Sequence, residues 1–217
     1  MSQSVCKVAV LISGSGSNLQ ALLDASAQAG APFSVCSVIS NKPEAYGLTR
    51  AAEAGVTSSI IDHREFPNRE DFDQALIAEI DSCQPDLVVL AGFMRILTPE
   101  FVRHYSGRLL NIHPSLLPKY QGLHTHQRAL DAGDSEHGAT VHFVTEELDG
   151  GPPIVQAVVP IKKGDTADSL AKRVQVQEHV IYPMAVTWFA EKRLHMLDDR
   201  TQLDGELLPR NGTRIHC

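Results

Sequence analysis

Val5-Cys6-Lys7-Val8-Ala9-Val10-Leu11-Ile12 runs directly into Ser13-Gly14-Ser15-Gly16-Ser17-Asn18, and helical periodicity follows over residues 19–29. The apolar run has the length and β-branched content of a buried strand. It is too short, and too poorly flanked by basic residues, for a secretory or membrane segment. The glycines and serines after it form a tight turn that presents backbone N–H groups at the positive end of a helix. Strand, glycine turn and helix together form the opening unit of an α/β sheet.

The alternation continues along the chain. Residues 33–40, 57–61, 87–91 and 108–112 read as further strands, and residues 69–82 as a helix that buries Phe72, Leu76, Ile77 and Ile80 on one face. Strands separated by helices predict parallel pairing with right-handed crossovers. After Pro118 the order changes: strands over 139–144 and 154–161 precede a helix over 166–192 capped by Asp165. Pro183 is expected to kink or interrupt that helix, and a last hairpin is expected to turn at Asp204-Gly205. The predicted fold is α/β and Rossmann-like: a mostly parallel twisted sheet flanked by helices, mixed in its C-terminal part. No repeat or linker suggests a boundary, so 1–217 reads as a single domain.

The 217 residues are 43% hydrophobic and 21% charged, ordinary for one globular core. A net charge of −7 provides no broad basic field for a nucleic-acid backbone. Cys6, Cys36, Cys83 and Cys217 are widely separated, with no CxxC pair. That spacing suggests neither a zinc knuckle nor a disulfide framework, and fits reduced thiols in a cytoplasm. Asn211-Gly212-Thr213 matches a glycosylation acceptor but reads as an accidental match in a polar tail.

The turn at 13–18 has the chemistry of an anion cradle. A dinucleotide fingerprint would need glycine where Leu19 stands, and a Walker loop would need Gly-Lys-Ser/Thr, so a phosphate monoester fits better. Taken alone, the turn is equally well explained as a helix cap. Asn111-Ile112-His113-Pro114-Ser115-Leu116-Leu117-Pro118 closes another strand. A spacing of two sends Asn111 and His113 to one face, Pro114 ends the ladder, and Pro118 closes the turn. An amide donor beside an imidazole suits a developing oxyanion, although the pair alone could equally be an ordinary strand end.

Residues 92–97 leave the carboxyl end of the 87–91 strand, where open α/β sheets place ligands. Met94, Ile96 and Leu97 could line a slot for a flat ligand while backbone groups at Arg95 and Leu97 read its edge; by itself the run reads more readily as core. Asp149, held before Gly150-Gly151-Pro152, can approach an imidazole closely and favour its charged form. Without His113 it would be an Asx turn; with it, an Asn/His/Asp constellation is predicted. His104, His124, His126, His137 and His179 form no evident ligand set, so no metal is expected.

Through Ser13-Gly14-Ser15-Gly16-Ser17-Asn18-Leu19-Gln20, residues 91–97, residues 111–118 and Leu148-Asp149-Gly150-Gly151-Pro152, the chain resembles the phosphoribosylglycinamide formyltransferases, within the wider formyltetrahydrofolate-using enzymes. The resemblance spans nearly the whole chain. It implies formyl transfer from 10-formyltetrahydrofolate, as co-substrate, to the amine of 5-phosphoribosylglycinamide in purine biosynthesis. Asn111 and His113 would stabilise the oxyanion, with Asp149 beside them and His142 in support. Gly16, Ser17 and Asn18 would cradle the phosphate, with Gln175 and Glu178 near the rest of the ribonucleotide. Read without the family, Glu178 is a solvated helical carboxylate. Arg69, Met94, Arg95, Ile96, Leu97, Thr145, Glu146, Glu147 and Leu148 would form the folate side.

The implied organisation is a phosphate-binding amino-terminal half and a folate-binding carboxy-terminal half in a cytoplasmic monomer or weak homodimer. Its partners would be small molecules, with no nucleic acid and no membrane. Ser15 stands where the family often has asparagine, a departure that leaves the backbone cradle intact. A methionyl-tRNA formyltransferase would be expected to carry an additional basic domain, and a formyltetrahydrofolate hydrolase an extra segment ahead of the loop that here begins at residue 13. A non-catalytic phosphate-binding module is the remaining alternative. It predicts phosphate binding indifferent to loss of His113.

Overall fold

The computed structural model describes residues 5–217. The chain divides into two compact units, Met1–Leu110 and Asn111–Cys217. In the first, the glycine-punctuated alternation folds as β1 (Cys6–Ile12), α1 (Ser17–Ser26), β2 (Phe33–Ser40), α2 (Gly47–Glu53), β3 (Ser58–Ile60), α3 (Arg69–Ser82), β4 (Leu87–Leu90) and α4 (Pro99–His104). The strands lie in the order β4-β1-β2-β3, and every printed pairing among them is parallel. Val8, Ala9, Val10, Leu11 and Ile12 have no solvent exposure, which is why β1 reads as a continuous apolar run rather than an alternating one. Between Val8 and Ala9 the register with β2 shifts: Val8 pairs with Val35 and Ala9 with Ser37, leaving Cys36 as the bulged residue.

The second unit takes up β5 (Leu109–His113) at Asn111 and continues through α5 (Thr125–Asp131), β6 (Glu136–Phe143), β7 (Pro153–Pro160), α6 (Ala167–Ala190), β8 (Leu194–Leu197), β9 (Arg200–Leu203), β10 (Glu206–Leu207) and β11 (Thr213–His216). β6 pairs antiparallel with β7, and β11 lies parallel on the far side of β7. A small antiparallel sheet is formed by β8, β9 and β10. The fold class is the one expected: α/β, with a mostly parallel central sheet, flanking helices and a mixed carboxy-terminal part.

Three local expectations are corrected. Thr166, not Asp165, caps α6: its hydroxyl accepts from Ser169 N while Ser169 Oγ accepts from Thr166 N, a reciprocal capping box. The Asp165 carboxylate is engaged instead by Lys162 N and by the Arg173 guanidinium. Helix α6 is not interrupted at Pro183 but runs through it, with Ile181, Tyr182, Ala185 and Val186 buried on either side. Burial of that apolar face outweighs the one hydrogen bond a proline forgoes. Helices α2, α4 and α5, of six or seven residues each, and the edge strand β11 were not anticipated; they are too short for periodicity to register. The hairpin between β9 and β10 turns as expected, with Asp204 and Gly205 both at positive φ.

Candidate active site

In the second unit, β5 ends with Asn111 and His113, β6 ends near His142, and the loop after β6 carries Asp149. The Asn111 amide nitrogen lies 3.2 Å from His142 Nε2, and His142 Nδ1 lies 2.8 Å from the Phe143 carbonyl. A carbonyl can only accept, so Nδ1 carries the proton and Nε2 is left to accept from Asn111. This assignment comes from the hydrogen-bond network, and it also fixes which end of the Asn111 amide is nitrogen. One amide hydrogen is held by His142, and the second is available to a ligand.

His113 is held in the same way. Its Nε2 donates to the Tyr120 carbonyl at 2.9 Å, and its Nδ1 faces Asp149 Oδ2 at 3.4 Å. That separation exceeds the about 2.7–2.9 Å of a committed charge-assisted bond. Asp149 therefore faces the ring without holding it in a committed hydrogen bond. Asp149 is anchored by Gly122 N, which donates to Oδ2 at 2.9 Å, and by Gln121 Nε2, which donates to the Asp149 carbonyl at 3.3 Å. Its backbone is left-handed, with φ 50°, a conformation aspartate tolerates better than most residues. The loop closes at Gly151, where a Cβ would collide with the Phe143 carbonyl oxygen.

Burial controls the other imidazoles. His142 is 1% exposed, and desolvation lowers its pKa to about 4 against the opposing pull of the Phe143 carbonyl and Asp149. A neutral ring makes the 3.9 Å approach of Nε2 to Asp149 Oδ1 a contact rather than an ion pair. His126 and His137, 11 residues apart in the chain, meet, with His137 Nε2 3.1 Å from His126 Nδ1.

 Burial lowers both, His137 to about 4, and the charge of the His113 ring adds to the lowering. His126, His137 and His142 are thus neutral near pH 7. Replacing His142 with alanine is expected to lower kcat about tenfold with little change in KM, because the Asn111 amide loses the acceptor that orients it. Steady-state kinetics checks this, and an unchanged kcat would remove His142 from the site.

Beside Asp149 lies a cavity of about 900 Å³ whose lining includes Thr145, Glu146, Glu147, Asp149, Arg200 and Arg210. Its size suits a drug-sized ligand. Leu148, on the same loop, is 53% exposed. On α6, Gln175 is exposed, whereas Glu178 is 8% exposed and so is not the solvated carboxylate that sequence alone favoured.

The first unit carries the remaining candidates. Gly16, left-handed at φ 69°, begins α1 with no side-chain cap, and a Cβ there would lie 2.7 Å from Gly47 Cα. That close approach brings α2 against the loop: Gly47 N donates to the Gly14 carbonyl at 3.0 Å, and Arg50 Nε to the Ser15 carbonyl at 2.8 Å. Gly16, Ser17 and Asn18 therefore sit at the positive end of a helix on a braced backbone. The Ser13 hydroxyl accepts from Met94 N at 2.7 Å and donates to Asn41 Oδ1 at 2.6 Å, tying this turn to residues 92–97. Met94 and Ile96 are 67% and 56% exposed, which excludes the core reading of that run; Arg95 and Leu97 are half-buried.

Asp73 anchors the end of the same loop by accepting from Thr98 N at 2.6 Å. It is buried, and desolvation raises its carboxyl above 3.8, opposed by Thr98 and the charges of Arg69 and Arg95. Arg69 itself is exposed at the first turn of α3. Asp73→Ala is expected to cost about 1–3 kcal/mol by stranding the Thr98 N–H, whereas Asp73→Asn retains an acceptor. Because the folded pKa is raised, the native state binds the extra proton, and this group's contribution to stability falls as pH rises from 3.8 through the raised value. Urea unfolding at several pH values tests both statements; identical midpoints for the alanine variant and the parent would refute them.

The family described as "Formyl transferase" matches residues 6–186. The chain belongs to this family. Among curated relatives of this formyl transferase, phosphoribosylglycinamide formyltransferase of Escherichia coli (strain K12) is 57% identical over 205 residues, covering 94% of this chain and 97% of that protein. The trifunctional purine biosynthetic protein adenosine-3 of Homo sapiens is 47% identical over 180 residues, 83% of this chain but 18% of that longer protein. Among solved structures, phosphoribosylglycinamide formyltransferase of Coxiella burnetii superposes with a TM-score of 0.94 at 50% identity, covering 98% of this chain and 100% of that one.

The backbone groups that hold the formyl transferase constellation, Tyr120 O, Gly122 N and the Gln121 side chain, were not anticipated from sequence. The available signal was the Gln121-Gly122 pair, eight and nine residues beyond His113 and just past Pro118. The Leu117–Pro118 peptide bond is cis. Among the described residues no group of three or more His, Cys, Asp or Glu is arranged to hold a metal, and no helix is long and apolar enough to cross a membrane.

Proposed function

We propose that this formyl transferase moves the formyl group of 10-formyltetrahydrofolate to the amine of 5-phosphoribosylglycinamide. The observation that carries the reading is the network at the end of β5: a donor-oriented Asn111 amide and a His113 Nδ1 that faces, without being consumed by, the Asp149 carboxylate. The high identity of relatives named for this reaction supports the choice of substrates.

In the proposed mechanism the neutral glycinamide amine attacks the formyl carbon, and the carbonyl π electrons move to oxygen. The second Asn111 amide hydrogen and the His113 Nδ1–H donate to that oxyanion. Asp149, directly or through a water, takes the proton shed by the attacking nitrogen and passes it toward the departing folate nitrogen as the C–N bond breaks. No covalent enzyme intermediate is needed. Gly16, Ser17 and Asn18 take the phosphate, and Gln175 and Glu178 serve the rest of the ribonucleotide. Arg69, Met94, Arg95, Ile96, Leu97, Thr145, Glu146, Glu147 and Leu148 serve the folate. Residues 1–217 act as a single formyltransferase domain, without a metal, in a cytoplasmic monomer or weak homodimer.

The test is release of deformylated folate, followed by absorbance, with and without glycinamide ribonucleotide. Release that depends on the ribonucleotide is expected. Release with water as the only acceptor would make the protein a hydrolase, and phosphate binding without release in either case would make it a silent binding module.

A further inference from the structure

The bulge in β2 and the end of α3 bring together two side chains that the formyl-transfer site does not use. Cys36 is the extra residue of the bulge, and Cys83 is the C-cap of α3. Their sulfurs lie 2.8 Å apart, although 47 residues separate them in the chain. Both are half-buried free thiols. Cys83 Sγ also approaches the Ile80 carbonyl at 3.3 Å, which fixes its direction toward β2. A regular strand would send residue 36 along the pleat with its neighbours, whereas a bulge re-aims one side chain.

We propose that Cys36 and Cys83 form a reversible intramolecular disulfide, a thiol-oxidation site in the first unit that is separate from the Asn111/His113/Asp149 constellation. The sulfurs need to close by about 0.8 Å to reach the ~2.0 Å of the bond. The oxidant is a low-molecular-weight disulfide. One protein thiol loses its proton and attacks a sulfur of the small disulfide, expelling one small thiolate. The second protein thiol then loses its proton and attacks the mixed disulfide, expelling the other. Two protein S–H bonds are exchanged for one S–S bond, and the two small thiolates take up the two protons. Burial, with the adjacent Cys83 thiol, pushes Cys36 up to about 12, so closure is slow at neutral pH and quickens as pH rises. Once closed, the bond ties β2 to α3 across a long loop and restricts the unfolded chain.

The experiment uses the full-length protein carrying Cys217→Ser, which removes the exposed thiol as a source of intermolecular bonds. The protein is incubated with excess glutathione disulfide at pH 7 and pH 9, quenched by alkylation and mapped by peptide mass spectrometry. The expected product is a Cys36–Cys83 cross-linked peptide lacking two hydrogens, formed faster at pH 9 and reversed by dithiothreitol. Its Tm should rise by about 5 °C or more. Cys36→Ser and Cys83→Ser should each abolish both the cross-link and the rise. Persistence of both free thiols in the folded parent, stable glutathione adducts without the cross-link, or a pairing that includes Cys6 would overturn the proposal.

Discussion

His113→Ala is expected to lower turnover by about a hundredfold or more, the scale on which loss of an oxyanion donor acts. The substitution removes the imidazole that faces Asp149 Oδ2 and leaves that oxygen its hydrogen bond from Gly122 N. Asp149→Ala is expected to have an effect of similar size for a different reason: the His113 ring keeps its Tyr120 contact but loses both the carboxylate that attracts it and the acceptor for the amine proton. Residues that act as one unit are not additive. The double variant should therefore fall well short of the product of the two single effects. Single-turnover rates with saturating substrates would measure this. Wild-type turnover in either single variant, or strict multiplicativity in the double, would show that the two residues do not form a catalytic unit.

Gly151→Ala is expected to produce the second largest loss, about a hundredfold in kcat, although the residue bears no functional group. Its Cβ would occupy the position of the Phe143 carbonyl oxygen. That oxygen is the acceptor that sets the His142 tautomer, and His142 in turn orients Asn111. The same clash pushes on the loop that carries Asp149 two residues earlier. A displacement of about 1 Å at a reacting group is enough for a loss of this size. The variant should retain its far-UV circular dichroism, since the Phe143 N to Pro152 carbonyl bond beside it can shift as a unit with the loop. Turnover within threefold of the parent would mean that the loop relaxes without moving Asp149.

Much of this chemistry is written in short-range pattern. The β-branched runs and the glycine turn at 13–18 have a period or a composition that acts within a few residues, so strand β2 and helix α3 were read to their ends. Asn111 and His113 were legible because a spacing of two is a statement about one strand, and Asp149 because two glycines and a proline follow it. Caps were harder. Asp165 and Thr166 are both good caps, and the choice between them depends on Arg173, two turns along the helix, which engages the aspartate.

The sequence by itself thus determined the α/β class, the glycine-rich turn ahead of α1 and the identity of the three polar residues, because each depends on local periodicity and side-chain chemistry. Tertiary structure alone decided what those residues can do. The proton position on His142, and through it the direction of the Asn111 amide, depends on a carbonyl whose place is set by the β6 end and the loop that returns to it. The supports of His113 and Asp149 are the backbone atoms of residues 120 and 122, which carry no identity a sequence can display. The meeting of Cys36 with Cys83 depends on a one-residue bulge and a long loop closure, neither of which leaves a local period to read.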